Sequence, residues 1–152
     1  VIHRTRRATP KDADVAQALI GAALADYGIV FEPDGRDADV RLFGVRADHD
    51  DFVATIDDEP VGVVSVGPHG DEGVAWVSKL FVARHARRAG VGRSLLRTAH
   101  DAARARGYRR IGLRTRVVFR EAIALYESEG YRAVTRDPAV LESGDLVFLR
   151  DL

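Results

Sequence analysis

Arg87-Arg88-Ala89-Gly90-Val91-Gly92 is the stretch whose residue types and spacing most directly suggest chemistry. An apolar strand pattern ends at Val82, and a helical pattern opens at Val91. The first N–H groups of a helix have no partner inside it, and the helix dipole favours an anion on its axis. Gly90 and Gly92 would let the backbone approach a phosphate with no Cβ in the way. Arg87, Arg88 and Arg93 can add charged hydrogen bonds to phosphate oxygens, and consecutive turn amides can form an anion-binding nest. The same spacing also fits an ordinary strand–loop–helix corner with glycines for turning. Two other phosphate loops are excluded. No Gly-Lys-Ser/Thr follows, and the three glycines and distal acid of the dinucleotide fingerprint are missing.

The charge pattern points to the same region. The formal net charge is zero. However, from Arg84 to Arg120 every charge but Asp101 is an arginine, whereas acids dominate from Asp26 to Glu72. Such an asymmetry can steer an anionic ligand to one side, and it is also what a solvated arginine-rich helix face looks like. Nucleic acid is not expected as a partner, because the total is neutral and no aromatic stacking series lies beside the arginines.

The elements that must position this turn follow from periodicity. Ile2 to Ala8 reads as a first strand, and Thr9, Pro10 and Asp12 as the start of a helix that ends near Tyr27-Gly28. Residues 38–45 read as a second short helix. Asp51 to Ile56 and Val61 to Val66 flank a turn and form a hairpin. Val74 to Val82 is a long strand, with Trp76, Ser78, Leu80 and Val82 expected on one face and Phe81 breaking the alternation. A helix from Val91 to Arg106 stops at Gly107. A buried-type strand then runs to Thr115, a helix from Glu121 to Glu129, and two strands from Tyr131 to Arg136 and from Leu146 to Leu149, joined by a loop with Pro138 and Gly144. This is a three-layer α/β (α+β) order. With 152 residues and 46% hydrophobic composition, the chain suits one domain spanning residues 1–152. Cysteine is absent, and His3, His49, His69, His85 and His100 show no metal-ligand spacing, so no metal is expected. No apolar run approaches the roughly 18 residues of a membrane span, and no signal peptide is evident, so a cytoplasmic location is expected.

The segment from Leu80 to Leu96 closely resembles the central motif of the GCN5-related N-acetyltransferases (GNAT), whose Arg/Gln-x-x-Gly-x-Gly/Ala core is Arg87, Gly90 and Gly92 here. Leu125-Tyr126 and Gly130-Tyr131 are similar to that family's later Leu-Tyr-x-x-x-Gly-Phe/Tyr signature. Firm resemblance covers residues 76–134. It implies a mixed, mostly antiparallel sheet of about seven strands flanked by about four helices, splayed between the fourth and fifth strands. It implies transfer of an acetyl group from acetyl-CoA to a primary amine by direct attack in a ternary complex. A bacterial-type enzyme is implied, and a homodimer is common among such domains.

The resemblance also assigns residues. Leu80, Phe81 and Val82 would run along the pantetheine arm, with backbone groups of Leu80 and Val82 pairing like an extra strand. Arg87 and the amides of Arg88, Ala89, Gly90, Val91, Gly92 and Arg93 would hold the pyrophosphate. Phe119 and Ala122 would complete the cofactor channel. Tyr126 would be the general acid that protonates the leaving thiolate, and the Leu80 amide would polarise the carbonyl. The base is less determined: Glu72 precedes the fourth strand, and ordered water is the alternative. Tyr27, Phe31, Glu32 and Asp34 would meet the acceptor, where acids beside aromatics suit a cationic amine. The family often has Asn where this chain has Phe119, a departure that would alter the polarity beside the cofactor. The absence of an acid in the strand also allows a non-catalytic acyl-CoA-binding regulatory module.

Overall fold

A computed structural model describes residues 2–70, 73–134 and 145–152. The sheet carries β1 (His3–Arg7), β2 (Asp50–Ile56), β3 (Glu59–Gly67), β4 (Val74–Val82), β5 (Arg110–Arg116), β6 (Arg132–Ala133) and β7 (Asp145–Asp151). The helices are α1 (Ala13–Ala25), α2 (Val91–Ala105) and α3 (Arg120–Ser128). Strand order is β1-β2-β3-β4-β5-β7-β6. Every neighbouring pair is antiparallel except β4 and β5. The expected mixed, mostly antiparallel seven-stranded sheet is therefore observed.

Two clusters show how the faces are divided. One face packs Val64, Val66, Ala75, Val77, Ile111 and Leu113 against Leu95, Leu96, Ala99 and Ala103 of α2 and Tyr126 of α3. The other packs Val53 and Val63 against Ala16, Ile20 and Leu24 of α1, and against Val40 and Phe43. The alanines of α2 allow a close approach to the sheet. Gly62 assists, because a Cβ there would lie 2.9 Å from Leu95 Cδ1.

The start of α1 forms much as expected. The Thr9 N–H donates to Asp12 Oδ2 at 2.8 Å, and Arg6 grips the same carboxylate at 2.7 Å. That pairing holds the Asp12 carboxyl below the usual carboxylate range.

Four helices were expected, but the described residues contain three α-helices and three short 3-10 turns. The expected helix over residues 38–45 is a single 3-10 segment, Ala38–Leu42. Its bonds span three residues, as in Val40 N–H to Asp37 O and Phe43 N–H to Val40 O, both 3.1 Å. Burial of Val40 and Phe43 anchors the segment, and the left-handed Gly44 (φ 80°) ends any helical run. The expected strand residue Arg136, the loop residues Pro138 and Gly144, and the candidate base Glu72 lie outside the described residues.

The alternation expected along β4 is also corrected. Ser65 pairs with Ser78 but Val63 with Phe81, so β4 carries one extra residue between them. Lys79 sits in this bulge at φ 56°. The insertion reverses the pleat. Before it, Ala75 and Val77 face α2; after it, Leu80 and Val82 do, while Phe81 turns to the α1 side.

Candidate active site

The parallel ladder between β4 and β5 runs from Val74–Arg110 to Val77–Leu113 and stops there. Ser78 to Val82 and Arg114 to Arg116 continue without pairing to each other. A bulge raises local twist, which turns β4 away from a straight parallel neighbour. The result is a cleft of about 870 Å³ between the two strands, closed by α3 on one side and by the chain after α1 on the other. The splay expected between the fourth and fifth strands is this opening.

One end of the cleft is the turn into α2. Arg88 (φ 67°) and Gly90 (φ 80°) both take left-handed backbone, and Gly90 caps α2 with no side-chain cap bond. The first amides of α2 thus lack the side-chain acceptor that often covers them. Gly92 has no fold-imposed reason to be glycine. A Cβ there would meet Leu125 Cδ2 at 3.4 Å, an ordinary contact. Its bare backbone keeps the cleft wall open.

Arg87, Arg88, Gly90, Gly92 and Arg93 line this end. Arg87 braces the turn, with Nε donating to Val82 O at 3.2 Å and the guanidinium 3.5 Å from Asp26. Arg93 and Arg97 both hold Glu129, at 2.8 and 2.9 Å. Burial works to raise the Glu129 carboxyl, but the two arginines outweigh it and hold it low. Arg88 is exposed and, among the described residues, has no carboxylate partner. Ala89 and Val91 turn toward the core, and Val91 is fully buried, so only their backbone is available to the cleft. A left-handed, glycine-bearing turn with uncapped helix amides and free positive charge fits a pyrophosphate.

Leu80, Phe81, Val82, Ala122 and Tyr126 line the middle of the cleft. Tyr126 is buried against Tyr131 and Phe148, at ring separations of 5.9 and 6.3 Å. Burial pushes its phenol well above the ordinary value, so the hydroxyl stays protonated and has a proton to donate. Tyr131 extends this layer inward, and its hydroxyl lies 2.8 Å from His100 Nε2. Arg150 donates to His100 Nδ1 at 3.1 Å. With Nδ1 accepting, Nε2 carries the proton and donates to Tyr131.

Phe119 lines the cleft from the other side, edge-on to Tyr27 at 4.8 Å and to Phe81 at 6.4 Å. The three rings bridge the end of α1 to β4. Where an Asn would cap α3, Phe119 makes no cap bond and closes an apolar seam.

Of the four residues expected at the acceptor, only Tyr27 reaches the cleft wall. Phe31 packs over Gly21 in the α1 core. Glu32 faces Arg36, and Asp34 pairs with Arg41. Asp37, from the same acidic loop, also lines it, and residues not expected at the acceptor stand beside it: Arg36, Ser78, Lys79, Arg114, Arg116 and Glu121. The signal for Arg114 and Arg116 was present in β5. Two polar residues at a spacing of two follow the buried Ile111 and Leu113 on the opposite parity.

The chain matches the acetyltransferase (GNAT) family over residues 17–131. Over 82 residues it is 37% identical to the probable N-acetyltransferase 14 of Xenopus tropicalis, a match covering 53% of this chain and 40% of that protein. The match thus spans less than half the length of this curated relative. Among solved structures, a GNAT-family acetyltransferase from Staphylococcus aureus superposes with a TM-score of 0.85 at 16% identity, over 99% of both chains. The PaiA N-acetyltransferase of Thermoplasma acidophilum, solved in complex with coenzyme A, gives 0.81 at 13% identity over the whole of both. The GNAT domain of S. lividans PAT gives 0.79 at 22% identity, over 99% of this chain and 90% of that one. At these identities the structural likenesses speak for the fold.

Proposed function

The chain belongs to the GNAT acetyltransferase family, and from that premise we propose that residues 1–152 form one domain that transfers the acetyl group of acetyl-CoA to a primary amine in a ternary complex. The observation that carries this reading is the uncapped α2 terminus opening directly into the β4–β5 cleft, with the Tyr126 side chain in its wall. When bound, acetyl-CoA supplies the acyl group and a thiolate leaving group.

The chain's own residues divide the remaining work. Backbone groups of Leu80 and Val82 hold the extended pantetheine arm, and the Leu80 amide donates toward the carbonyl oxygen as charge develops there. Leu80 lies at the bulge, outside the β3 register and beyond the last β5 pair. Arg88 and the amides from Ala89 to Arg93 hold the pyrophosphate. The amine nitrogen forms its bond to the acyl carbon as the carbon–sulfur bond breaks, and Tyr126 gives its proton to the departing sulfur. Solvent water takes the proton that the amine loses. Two of the described acids near the cleft are engaged, Asp37 by the Glu32 N–H at 2.9 Å and Asp39 by Lys79 at 2.7 Å, and the third, Glu121, stands on the wall at the start of α3.

The lack of an acid in β4 itself favours one competing reading, a non-catalytic acyl-CoA-binding module. Titration calorimetry with acetyl-CoA, followed by a thiol-release screen over amine classes, separates the two. Binding with turnover is expected. Binding without any thiol release would favour the module, and no binding at millimolar ligand would overturn both.

A further inference from the structure

Five buried side-chain atoms have no hydrogen-bond partner among the described residues, and three of them belong to one face of three adjacent strands. They are Asp51 Oδ1 in β2, Ser65 Oγ in β3 and Trp76 Nε1 in β4. Their residues are 5%, 0% and 8% exposed. Val53 and Val63 pack on the α1 side, and Asp51 and Ser65 each lie two residues from one of them, on the same side of the pleat. Trp76 and Ser78 alternate with Ala75 and Val77, which face α2, so they share the α1 side too.

The register turns these residues into a row. Asp51 pairs directly with Ser65, and Ser65 with Ser78. Side chains directly opposite in an antiparallel pair have Cβ atoms about 5 Å apart. Trp76, opposite Gly67, is one diagonal step from Ser65, and the Arg114 guanidinium lies over its ring at 5.9 Å. Ser78 is exposed and lines the cleft. One end of the row is therefore wet, and the other is a carboxyl group in the interior.

A buried polar atom without a partner is costly, so the row calls for occupants. The Gly44 N–H donates to Asp51 Oδ2 at 2.7 Å, which leaves Oδ1 open. A carboxylate oxygen accepts, an indole N–H donates, and a hydroxyl does both. That is the kind of lining a buried water requires, with about two to four polar partners.

We infer that Asp51 is the final destination of the proton lost by the acceptor amine, reached from the cleft through Ser78 and Ser65, with ordered water joining Ser78 to Ser65 and Ser65 to Asp51. This rests on the acetyl-transfer reading above and extends it. Cleft water takes the N–H proton as the nitrogen bonds to the acyl carbon, and it gives a proton to Ser78 Oγ. Ser78 releases its own hydroxyl proton along the water to Ser65, and Ser65 releases its proton toward Asp51 Oδ1. Each serine ends as it began, so the nitrogen has lost one proton and the carboxylate has gained one. After product release the proton returns by the same path, and cleft water restores the Tyr126 hydroxyl. The products are then the amide and the free thiol. Asp51 and Ser65 are positioning residues, because they act through Ser78 and touch neither substrate nor cofactor.

A high-resolution crystal structure of the wild type tests the path without any acceptor. Ordered water within hydrogen-bond distance of both Asp51 Oδ1 and Ser65 Oγ is expected, and a dry site overturns the inference. Single-turnover thiol release from acetyl-CoA tests the proton transfer, with 2-phenylethylamine, spermidine, L-lysine and glycinamide as acceptors. For the amine that reacts fastest, Ser65→Ala lowers the rate by about tenfold and Asp51→Asn by about a hundredfold, with acetyl-CoA affinity unchanged by calorimetry. Asn keeps an oxygen for the Gly44 N–H but takes up no proton. Ser65→Thr keeps the hydroxyl and recovers most of the loss. The wild-type rate plotted against the D2O fraction is bowed, as for several protons in flight, and the plot straightens in Ser65→Ala; a merely structural hydroxyl would leave it unchanged. Rates within about twofold of wild type in both Ser65→Ala and Asp51→Asn overturn the inference and leave the acetyl-transfer reading standing. Bound acetyl-CoA with no thiol release for any of the four amines counts against that reading and takes the inference with it. Should either variant fail to fold, Ser78→Ala at the exposed end carries the same tenfold expectation, and the water and the D2O plot are read on the wild type.

Discussion

Tyr126 shows how one side chain can be committed to a single protonation state. Its ring is buried, and burial alone raises its phenol. Such a group holds its proton at neutral pH and can share it with the departing sulfur as the carbon–sulfur bond breaks, although the raised value makes full transfer to a thiolate uphill. Tyr126→Phe should therefore lower turnover by about a hundredfold while leaving acetyl-CoA affinity unchanged. Steady-state kinetics beside calorimetry check this, and unchanged turnover would remove Tyr126 from the acid role.

His100, one layer behind, makes a different prediction. Burial first, then the charges of Arg150 and Arg104, push it down to about 4 from 6.5, against weaker support from Glu129 and Asp101. The folded protein thus keeps His100 neutral where the unfolded chain would take up a proton. Stability is fully present above pH 6.5 and declines as the pH falls toward 4, by about 3 kcal/mol in all. Urea unfolding at a series of pH values should show this slope, and His100→Asn should flatten it.

At the scale of elements, the turn into α2 separates two uses of glycine. Gly90 occupies left-handed backbone, so Gly90→Val should cost about 1–2 kcal/mol of stability as well as cofactor affinity. Gly92 has room for a methyl group against Leu125. Gly92→Ala should therefore fold with near-native stability and still bind acetyl-CoA more weakly, because the new Cβ enters the cleft. Thermal unfolding and calorimetry on the two variants distinguish a structural glycine from a ligand-facing one. The α2 helix itself is strongly two-sided, with Val91, Leu95, Leu96, Ala99 and Ala103 buried together, so its docking on the sheet holds the cradle in place.

For the whole molecule, the decisive feature is a sheet that is tightly joined below and open above. Gly112 lies in the closed part. A Cβ there would come within 2.8 Å of both Leu149 Cδ2 and Trp76 Cζ3. Gly112→Ala should cost about 1–3 kcal/mol and displace Trp76, which also seats Arg114. Denaturant midpoints and tryptophan fluorescence read both effects. The open part, from Ser78 onward, lacks a β5 partner. Its edge is thus free to receive an extended ligand.

Much of the turn into α2 was legible in the sequence, because it depends on near neighbours. Arg87, Gly90 and Gly92 lie within one turn, and the physics of a helix terminus needs only the residues that form it. The strand Val74–Val82 and the helices that flank it also followed from periodicity, whereas its place beside a later strand came from the family resemblance. The acceptor end was not legible in the same way. Glu32 and Asp34 looked like an acidic lure, but folding sets Arg36 and Arg41 beside them. Lys79 is neutralised by Asp39, forty residues away, and the Lys79 bulge reverses the faces of the residues after it. Arg114 and Arg116 came to line the cleft only when β5 was laid beside β4. Local backbone chemistry travels with the sequence, whereas net charge in a cleft is a sum over partners brought together by register and long-range packing.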